Sequence, residues 1–259
     1  MQLLQQTLAN WRQWNTGCGE LTAQPTLLSE LSGGRTNRSF LVVSDEFKAV
    51  VRINAENGAS LGIDRQRERL ILELLQPTGA VPRVLFQTNE ILVTEFYEGR
   101  PWGDEDSCNS QQVTALNQLL QRIQAVKVRQ LQRRNYVQYC QAYIDQLGSA
   151  FAIEGLQQTI LTAAAAIDAA HWPEVICHHD LMPENILVTA GGLIVLDWEY
   201  AALGHPALDG LRFHGTDQPL SSVHLGVDRE TLKQLAILLR GMDDLWSLVQ
   251  TQFCEDLYE

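Results

Sequence analysis

Residues 176–209 read ICHHDLMPENILVTAGGLIVLDWEYAALGHPALD, and the order of polar and apolar residues in this stretch is the most informative part of the chain. It contains His178-x-Asp180-x₄-Asn185, then two apolar runs typical of a β-hairpin, and then Asp197. An aspartate on a rigid loop can orient a hydroxyl and accept its proton. Amide and carboxylate oxygens are ligands that Mg²⁺ prefers. The pattern predicts phosphoryl transfer, with Asp180 as base and Asn185 and Asp197 as metal ligands, while His178 braces the loop.

The region before this stretch has a strand-rich pattern. Short β-branched or alternating runs are separated by turn residues, and one helix with apolar residues four apart fits residues 63–75. This pattern predicts a small antiparallel sheet with a helix packed on it. The predicted strands are PTLLSEL (25–31), RSFLVVS (38–44), FKAVVRI (47–53), PRVLFQ (82–87) and EILVTEF (90–96).

After residue 104 the chain becomes rich in Gln, Leu and Ala, which favour helices. The breaker-rich connector near residues 99–106 is the best candidate boundary, so we expect an N-terminal lobe over 1–99 and a mainly helical lobe over 100–259. A short amphipathic helix is also predicted at the N-terminus. The predicted helices of the second lobe span 111–126, 135–148, 153–170, 206–213 and 229–252.

Charge and cysteine content restrict the class of protein. The 259 residues carry 31 acidic and 19 basic side chains, a net charge of −12, which argues against binding of nucleic acid or of an anionic membrane surface. We find no secretory signal or membrane-spanning apolar run. The five cysteines are scattered and form no C-x-x-C pair, so we expect reduced thiols and a cytoplasmic location.

The motif residues resemble the aminoglycoside phosphotransferase and choline kinase superfamily. LSGGRTNRSFLV (31–42), VVRI (50–53) and LDWEYA (196–201) are similar to bacterial thiamine kinases and to choline or ethanolamine kinases. The resemblance implies an α+β, protein-kinase-like fold of two lobes, with a small antiparallel sheet plus helix before a larger helical lobe. It also implies ATP and Mg²⁺ as cofactors.

Matched positions assign further roles by this resemblance. Arg52 stands where a basic residue contacts the α- and β-phosphates, and Glu68 matches the acid that pairs with it. Asp209 matches a further family aspartate and is a candidate substrate contact. By residue type rather than by the resemblance, Glu199 and Trp198 are further candidate substrate contacts, and Trp102, Tyr200 and Trp246, like Trp198, are candidates to stack on a cationic or aromatic acceptor. The nucleotide loop would comprise Ser32, Gly33, Gly34, Thr36 and Asn37, and the backbone of Glu95, Phe96 and Tyr97 would hold adenine.

The acceptor is expected to be a small molecule, because Asp197-Trp198-Glu199 replaces D-F-G and no A-P-E segment follows. Residues 151–259 hold 16 acidic and 4 basic side chains, which favours a cationic alcohol: thiamine first, then choline or ethanolamine. Three alternatives stay open: an aminoglycoside-type phosphotransferase, a nucleotide-binding pseudokinase that regulates a partner, and a metal-dependent hydrolase built on the histidines near residue 178. The oligomeric state cannot be read from the sequence.

Overall fold

The computed structural model describes residues 1–16, 21–32, 36–148, 154–215 and 227–256. The chain packs into two compact units that interleave along the sequence. The first contains Met1–Gly58, Asp64–Ile123 and Glu184–Glu199, and the second contains Ala59–Ile63, Gln124–Pro183 and Tyr200–Glu259.

An antiparallel sheet of five strands organises the first unit. Its strands are β1 (Thr26–Leu31), β2 (Arg38–Ser44), β3 (Phe47–Ile53), β4 (Val84–Gln87) and β5 (Ile91–Glu95), in the spatial order β1-β2-β3-β5-β4. Alternate residues of β2 and β3, such as Phe40, Val42 and Val51, are buried with α1 (Gln2–Ala9) on one face. The period of two explains why the short apolar runs fold as strands rather than helices.

The helix α2 (Arg65–Leu75) follows β3. It begins at residue 65 rather than at the predicted 63, because the Asp64 side chain accepts the backbone N–H groups of Gln66 and Arg67 and so caps the first turn. Its buried face carries Ile71, Leu72 and Leu75, and also one acid, Glu68. A charged residue on an apolar helix face is the first structural sign of a site.

A second, three-stranded sheet in the first unit is flanked by the metal-ligand candidates, since Asn185 directly precedes its second strand and Asp197 follows its third strand by two residues. It joins β6 (Gly99–Pro101), β8 (Ile186–Thr189) and β9 (Gly192–Val195) in the order β6-β8-β9. A Cβ at Gly99 would lie 2.6 Å from the carbonyl oxygen of Val188, so this close pairing requires glycine. The first unit also contains α3 (Asp104–Ser107) and all but the last two residues of α4 (Ser110–Ala125).

The second unit is mainly helical. Its helices are α5 (Tyr136–Leu147), α6 (Glu154–Ala169), α7 (Leu208–His214) and α8 (Arg229–Asp256). They surround a core that includes Tyr136, Ile160, Leu208, Leu235 and Leu239. Apolar residues three and four apart along each helix supply this core, as the sequence pattern predicts.

A two-stranded antiparallel ribbon in the second unit supports the loop that carries Asp180. It pairs β7 (Val175–Cys177) with β10 (Ala202–Gly204). A Cβ at Gly204 would lie 2.8 Å from the hydroxyl of Tyr136 and 2.9 Å from the ring of His179, so a larger residue would displace the loop beside Asp180. The glycine therefore allows the ribbon to pack directly against this loop.

The predicted fold class, α+β with a small antiparallel sheet and a mainly helical part, is confirmed. The lobe division at residues 99 and 100 stays a prediction about functional lobes; the packing units are composed differently, since residues 184–199 pack with the first unit. Within the described ranges, no helix combines the length and the apolar character needed to cross a membrane.

Candidate active site

The buried ion pair between Arg52 and Glu68 is the centre of the site in the first unit. Arg52 lies on β3 and its guanidinium NH2 is 2.6 Å from Glu68 Oε1 on α2. The Glu68 side chain is fully buried, and Arg52 also donates from Nε to the side-chain oxygen of Asn54 at 2.9 Å. Burial alone would lower the pKa of Arg52, but Glu68 and two further acids raise it above its ordinary value. The structure thus brings together the two residues that the sequence paired.

A second arginine, Arg65, shares Glu68 with Arg52. Its NH1 group is 2.9 Å from Glu68 Oε2 and 2.9 Å from Glu199 Oε2. Arg52 also contacts Asp197 Oδ1 at 3.3 Å. The contacts therefore run from Asp197 through Arg52, Glu68 and Arg65 to Glu199, so that two arginines alternate with three acids. The backbone from residue 197 to residue 199 joins the two ends into a ring. We call Arg52, Arg65, Glu68, Asp197 and Glu199 the charge ring. Its formal charge is −1.

Sequence reasoning missed Arg65, although a signal was present. Arg65 precedes Glu68 by three residues, which places both on the same face of α2. Such a pair is usually an exposed surface contact, and only the burial of Glu68 distinguishes this one. Asn54, which orients Arg52, had no sequence signal at all.

Glu199 is a structural member of the charge ring rather than an open group. Its side chain is 2% exposed, and Oε2 accepts hydrogen bonds from both Arg65 and the side-chain amide of Asn37, the latter at 2.7 Å. The opposite end of the Asn37 amide accepts from Arg65 NH2 at 3.0 Å and from the backbone N–H of Ala55 at 3.1 Å. Asn37 therefore fastens the segment before β2 to the segment that carries Asp197.

The rest of the predicted nucleotide loop is only partly described. Ser32 is exposed where β1 ends, and Thr36 is half-buried beside Asn37. Gly33 and Gly34 lie outside the described residues. The structure therefore places the two ends of the loop next to β1 and β2.

Asp197 is the open acid of the charge ring. Its side chain is 42% exposed, whereas those of Glu68 and Glu199 are buried. Its backbone has a φ of 59°, in the left-handed region that costs a non-glycine residue about 1–3 kcal/mol. The backbone N–H of Leu196 donates to the carbonyl of Asn185 at 2.8 Å, which holds the two metal-ligand candidates on adjacent segments. An exposed carboxylate on a segment paired with that of Asn185 fits Mg²⁺, which takes oxygen ligands and retains water.

Asp180 belongs to the second unit, on a loop fixed by Asp209. The carboxylate of Asp209 is buried and accepts the backbone N–H groups of His178 and His179 at 2.7 and 2.9 Å. The backbone N–H of Asp180 points to His178 Nδ1 at 3.3 Å. Burial raises the pKa of Asp209, against the lowering effect of its hydrogen bonds. Asp209, predicted as a substrate contact, is in this structure a brace for the loop.

The same loop is strained and tied down from a second side. His179 has a φ of 67°, again in the left-handed region, and its Nε2 lies 3.2 Å from the hydroxyl of Tyr136 on α5. Strain of this kind persists only where the surroundings over-determine the backbone. The contacts of Tyr136 and Asp209 do so, and they leave the half-buried Asp180 in a defined position.

A cation lies against Asp180 that the sequence did not indicate. Arg212 on α7 places NH2 3.3 Å from Asp180 Oδ1, and its NH1 group donates to Asp243 on α8. Arg212 follows Asp209 by three residues, so both side chains leave the same face of α7. That spacing was the only available signal for this contact.

The predicted adenine segment lies at the end of β5. The backbone N–H of Glu95 donates to the carbonyl oxygen of Arg83 at 2.9 Å, and that of Phe96 donates to the carbonyl oxygen of Lys48 at 3.1 Å. The Glu95 side chain pairs with Arg83, also at 2.9 Å. Both N–H groups are therefore already hydrogen-bonded to backbone carbonyls. Of the predicted adenine contacts in residues 95–97, the backbone carbonyl groups and the N–H of Tyr97 remain as candidates.

Trp198 and the histidines have structural partners. The Trp198 ring is 2% exposed and its indole N–H donates to the carbonyl of Val195 at 2.8 Å, so it packs in the interior of the first unit. Cys177 and His205 are buried and joined by a hydrogen bond from the thiol to the His205 carbonyl. The described part of the chain contains no group of three or more His, Cys, Asp or Glu side chains arranged to hold a metal ion.

The chain belongs to the phosphotransferase enzyme family, whose model matches residues 28–237. It is 23% identical over 202 residues to mouse (Mus musculus) ethanolamine kinase 1. Its fold is similar to that of the choline kinase LicA from Streptococcus pneumoniae, with a TM-score of 0.76 over 97% of this chain and 90% of that one at 19% identity. LicA has also been solved in complex with AMP. The macrolide 2'-phosphotransferase MphH from Brachybacterium faecium matches with a TM-score of 0.61 over 100% of this chain and 94% of that one, at 21% identity.

The curated relatives are longer than the matched region. The match covers 70% of this chain and 56% of ethanolamine kinase 1, and a second curated relative, an uncharacterised Mycoplasma pneumoniae protein, is matched over 65% of its length at 25% identity. The predicted superfamily is confirmed by the family match.

Proposed function

We propose that the chain is an ATP- and Mg²⁺-dependent kinase that phosphorylates a hydroxyl group of a small cationic metabolite. The observation that carries the proposal is the arrangement of Arg52 on β3, held by buried Glu68 and in contact with the open carboxylate of Asp197. A fixed cation beside a metal-binding acid suits a nucleotide triphosphate, whose transfer chemistry depends on positioning and neutralising charge.

Each part of the chain has a defined task in this proposal. Arg52 neutralises phosphate oxygens, and Glu68 prevents its side chain from moving away. Asn185 and Asp197 would hold Mg²⁺, which neutralises charge on the phosphates when bound. Asp180 orients the acceptor hydroxyl and takes its proton, and Asp209 keeps the loop of Asp180 in place. Residues 32–37 and the carbonyl groups near Tyr97 hold the nucleotide.

For the acceptor we favour an amino alcohol of the choline or ethanolamine type, ahead of thiamine. This order rests on the named relatives, which include an ethanolamine kinase and a choline kinase. The prevalence of acidic side chains in residues 151–259 supports a cationic acceptor in general. The second unit also offers an aromatic pair, since the Trp246 indole donates to the Tyr200 hydroxyl at 2.9 Å and both side chains are only half-buried. Half-exposed aromatic faces attract organic cations. We place the enzyme in the cytoplasm, where ATP is supplied.

An acceptor screen tests the proposal. ADP release in the presence of ATP and Mg²⁺ is measured with choline, ethanolamine, thiamine and an aminoglycoside, each against a reaction without acceptor. Asp180→Asn should abolish acceptor-dependent release yet leave ATP affinity within about threefold, because only the base is lost. Asp145→Asn, an exposed acid on α5, is the matched control and should not change the rate.

The outcomes separate the candidate functions. Release stimulated by an amino alcohol supports the proposal, and stimulation by an aminoglycoside alone moves the assignment to an antibiotic-type phosphotransferase. Binding of ATP without release for any acceptor favours a pseudokinase. Full activity of Asp180→Asn would contradict the assigned base.

A further inference from the structure

Arg212 lies in direct contact with the carboxylate of the proposed base, and its surroundings are unusual. The side chain is 13% exposed and lies between the carboxylates of Asp180 and Asp243, which are 35% and 49% exposed. Its Nε group is buried and has no hydrogen-bond partner among the described residues. The guanidinium is thus directed by the two carboxylates and not by a complete set of hydrogen bonds.

One of these two carboxylates would be enough to neutralise an arginine that only stabilises the fold. The contact with Asp243 already joins α7 to α8 and balances the charge of the guanidinium. The additional contact occupies Oδ1 of Asp180, the residue that carries the proposed chemistry. One fixed oxygen prevents rotation of the carboxylate, so that Oδ2 keeps a constant direction. An error of about 1 Å in the position of a reacting group can reduce a rate about 100-fold.

We propose that Arg212 and Asp243 act together as a positioning pair for Asp180, an inference that rests on the proposed kinase function. In the reaction the acceptor oxygen forms a bond to the γ-phosphorus, and the bond from that phosphorus to the bridging oxygen of ADP breaks with its electron pair leaving on ADP. The acceptor proton goes to Asp180. Arg212 orients Asp180 before this step, and Asp243 keeps Arg212 neutralised after it.

The role of Asp243 follows from charge balance. Asp180, Arg212 and Asp243 together carry a net charge of −1 before proton transfer and none after it. Without Asp243, protonation of Asp180 would remove the second of the two carboxylate contacts that the described residues give this mostly buried guanidinium, which is unfavourable. The two substitutions Arg212→Gln and Asp243→Asn should therefore slow the same step.

Kinetics of single and double variants test the pair. Arg212→Gln should lower kcat by about 10- to 100-fold, in the range of a misplaced base, and should leave KM for ATP within about twofold. Arg212→Lys retains the charge and should recover part of kcat, and Asp243→Asn should lower kcat by a smaller factor. Arg229→Gln, an exposed arginine on α8, is the matched control.

The double variant distinguishes positioning from simple stabilisation. If the two residues act as a unit, Arg212→Gln with Asp243→Asn should be no slower than Arg212→Gln alone. Multiplicative losses in kcat, or lower unfolding temperatures with unchanged kcat, would overturn the inference in favour of a structural clip between α7 and α8.

The test also separates failure of the inference from failure of the proposed function. If the wild-type chain transfers phosphate to no acceptor, the proposed function fails, and the catalytic role of the pair fails with it. The contact itself is still decided by thermal unfolding of Arg212→Gln, Asp180→Asn and the double variant. Non-additive shifts in the midpoint would support the Arg212–Asp180 contact, and additive shifts would refute it.

Discussion

Replacing Glu68 by glutamine should destabilise the first unit more than any exposed charge change on the same helix. The carboxylate of Glu68 is fully buried and accepts from Arg52 NH2 at 2.6 Å and from Arg65 NH1 at 2.9 Å. Glutamine has the same shape but presents an N–H₂ group to one of the two guanidinium groups. It also leaves two arginines to share the remaining acids of the charge ring.

The size of the effect follows from these contacts. Removing one partner of a buried ion pair costs about 3–5 kcal/mol, mainly because a buried charge is left uncompensated. Glutamine retains one acceptor oxygen, and Asp197 and Glu199 still face the arginines, so we expect the lower part of this range, about 3–4 kcal/mol. For a chain of this size that loss corresponds to a fall in Tm of roughly 6–16 °C.

The assay is urea and thermal unfolding followed by far-UV circular dichroism. The matched control is Glu73→Gln on the same helix, whose pair with Arg69 has side chains 59% and 58% exposed and should contribute less than about 1 kcal/mol. A loss of stability for Glu68→Gln no larger than that of Glu73→Gln would refute the reasoning, since it would mean that the charge ring is solvated in solution.

Three further predictions concern other parts of the chain. Arg100 lowers the pKa of Asp106 from 3.8 to about 2, so the stability that this carboxylate provides is present above pH 4 and is lost as the pH falls toward 2. Asp106→Asn should remove that part of the acid-induced loss of stability. The measurement is Tm as a function of pH for both proteins. Asp209→Asn replaces one acceptor oxygen by an N–H₂ group that faces a backbone donor. It should lower the free energy of unfolding by about 1–3 kcal/mol, measured by urea unfolding. An unchanged midpoint would contradict the role of Asp209 as a brace for the loop of Asp180. Burial raises the pKa of the Cys177 thiol, which therefore stays protonated and unreactive in the native protein. Iodoacetamide at pH 8 should modify exposed Cys108 in the native protein and Cys177 only after unfolding. Peptide mass mapping measures the modification of each cysteine.

Much of the fold could be predicted because it depends on local patterns. The run FKAVVRI coincides with β3 (Phe47–Ile53), and helices over 111–126 and 135–148 were found within one or two residues of α4 and α5. Hydrophobic periodicity and turn residues are sufficient at this level. Element ends were less well placed, since a cap such as Asp64 acts through one side chain.

The side-chain contacts of the site could be predicted only where both residues match positions of a known family. The Arg52–Glu68 pair had a counterpart in a known family, and the structure has it at 2.6 Å. The contacts of Arg65 with Glu199 and of Arg212 with Asp180 join residues that are far apart in sequence, and no local periodicity reports such a pairing. Glu199 and Asp209 are predicted as substrate contacts, Asp209 from a matched family position, and neither prediction contains information on side-chain exposure. In the structure each is buried and bonded within its own unit.

The interleaved composition of the first unit has a consequence for biosynthesis. Arg65 and its partner Glu199 are 134 residues apart, and residues 124–183 between them belong to the other unit. At about 5–20 residues per second, a ribosome needs roughly 7–27 s to add the chain from Arg65 to Glu199. During this interval the nascent sheet has both arginines but lacks two of the three acids of the charge ring. The N-terminal portion therefore cannot complete the charge ring as it emerges, and until residues 197–199 arrive Arg52 and Arg65 share Glu68 as their one acid of the ring.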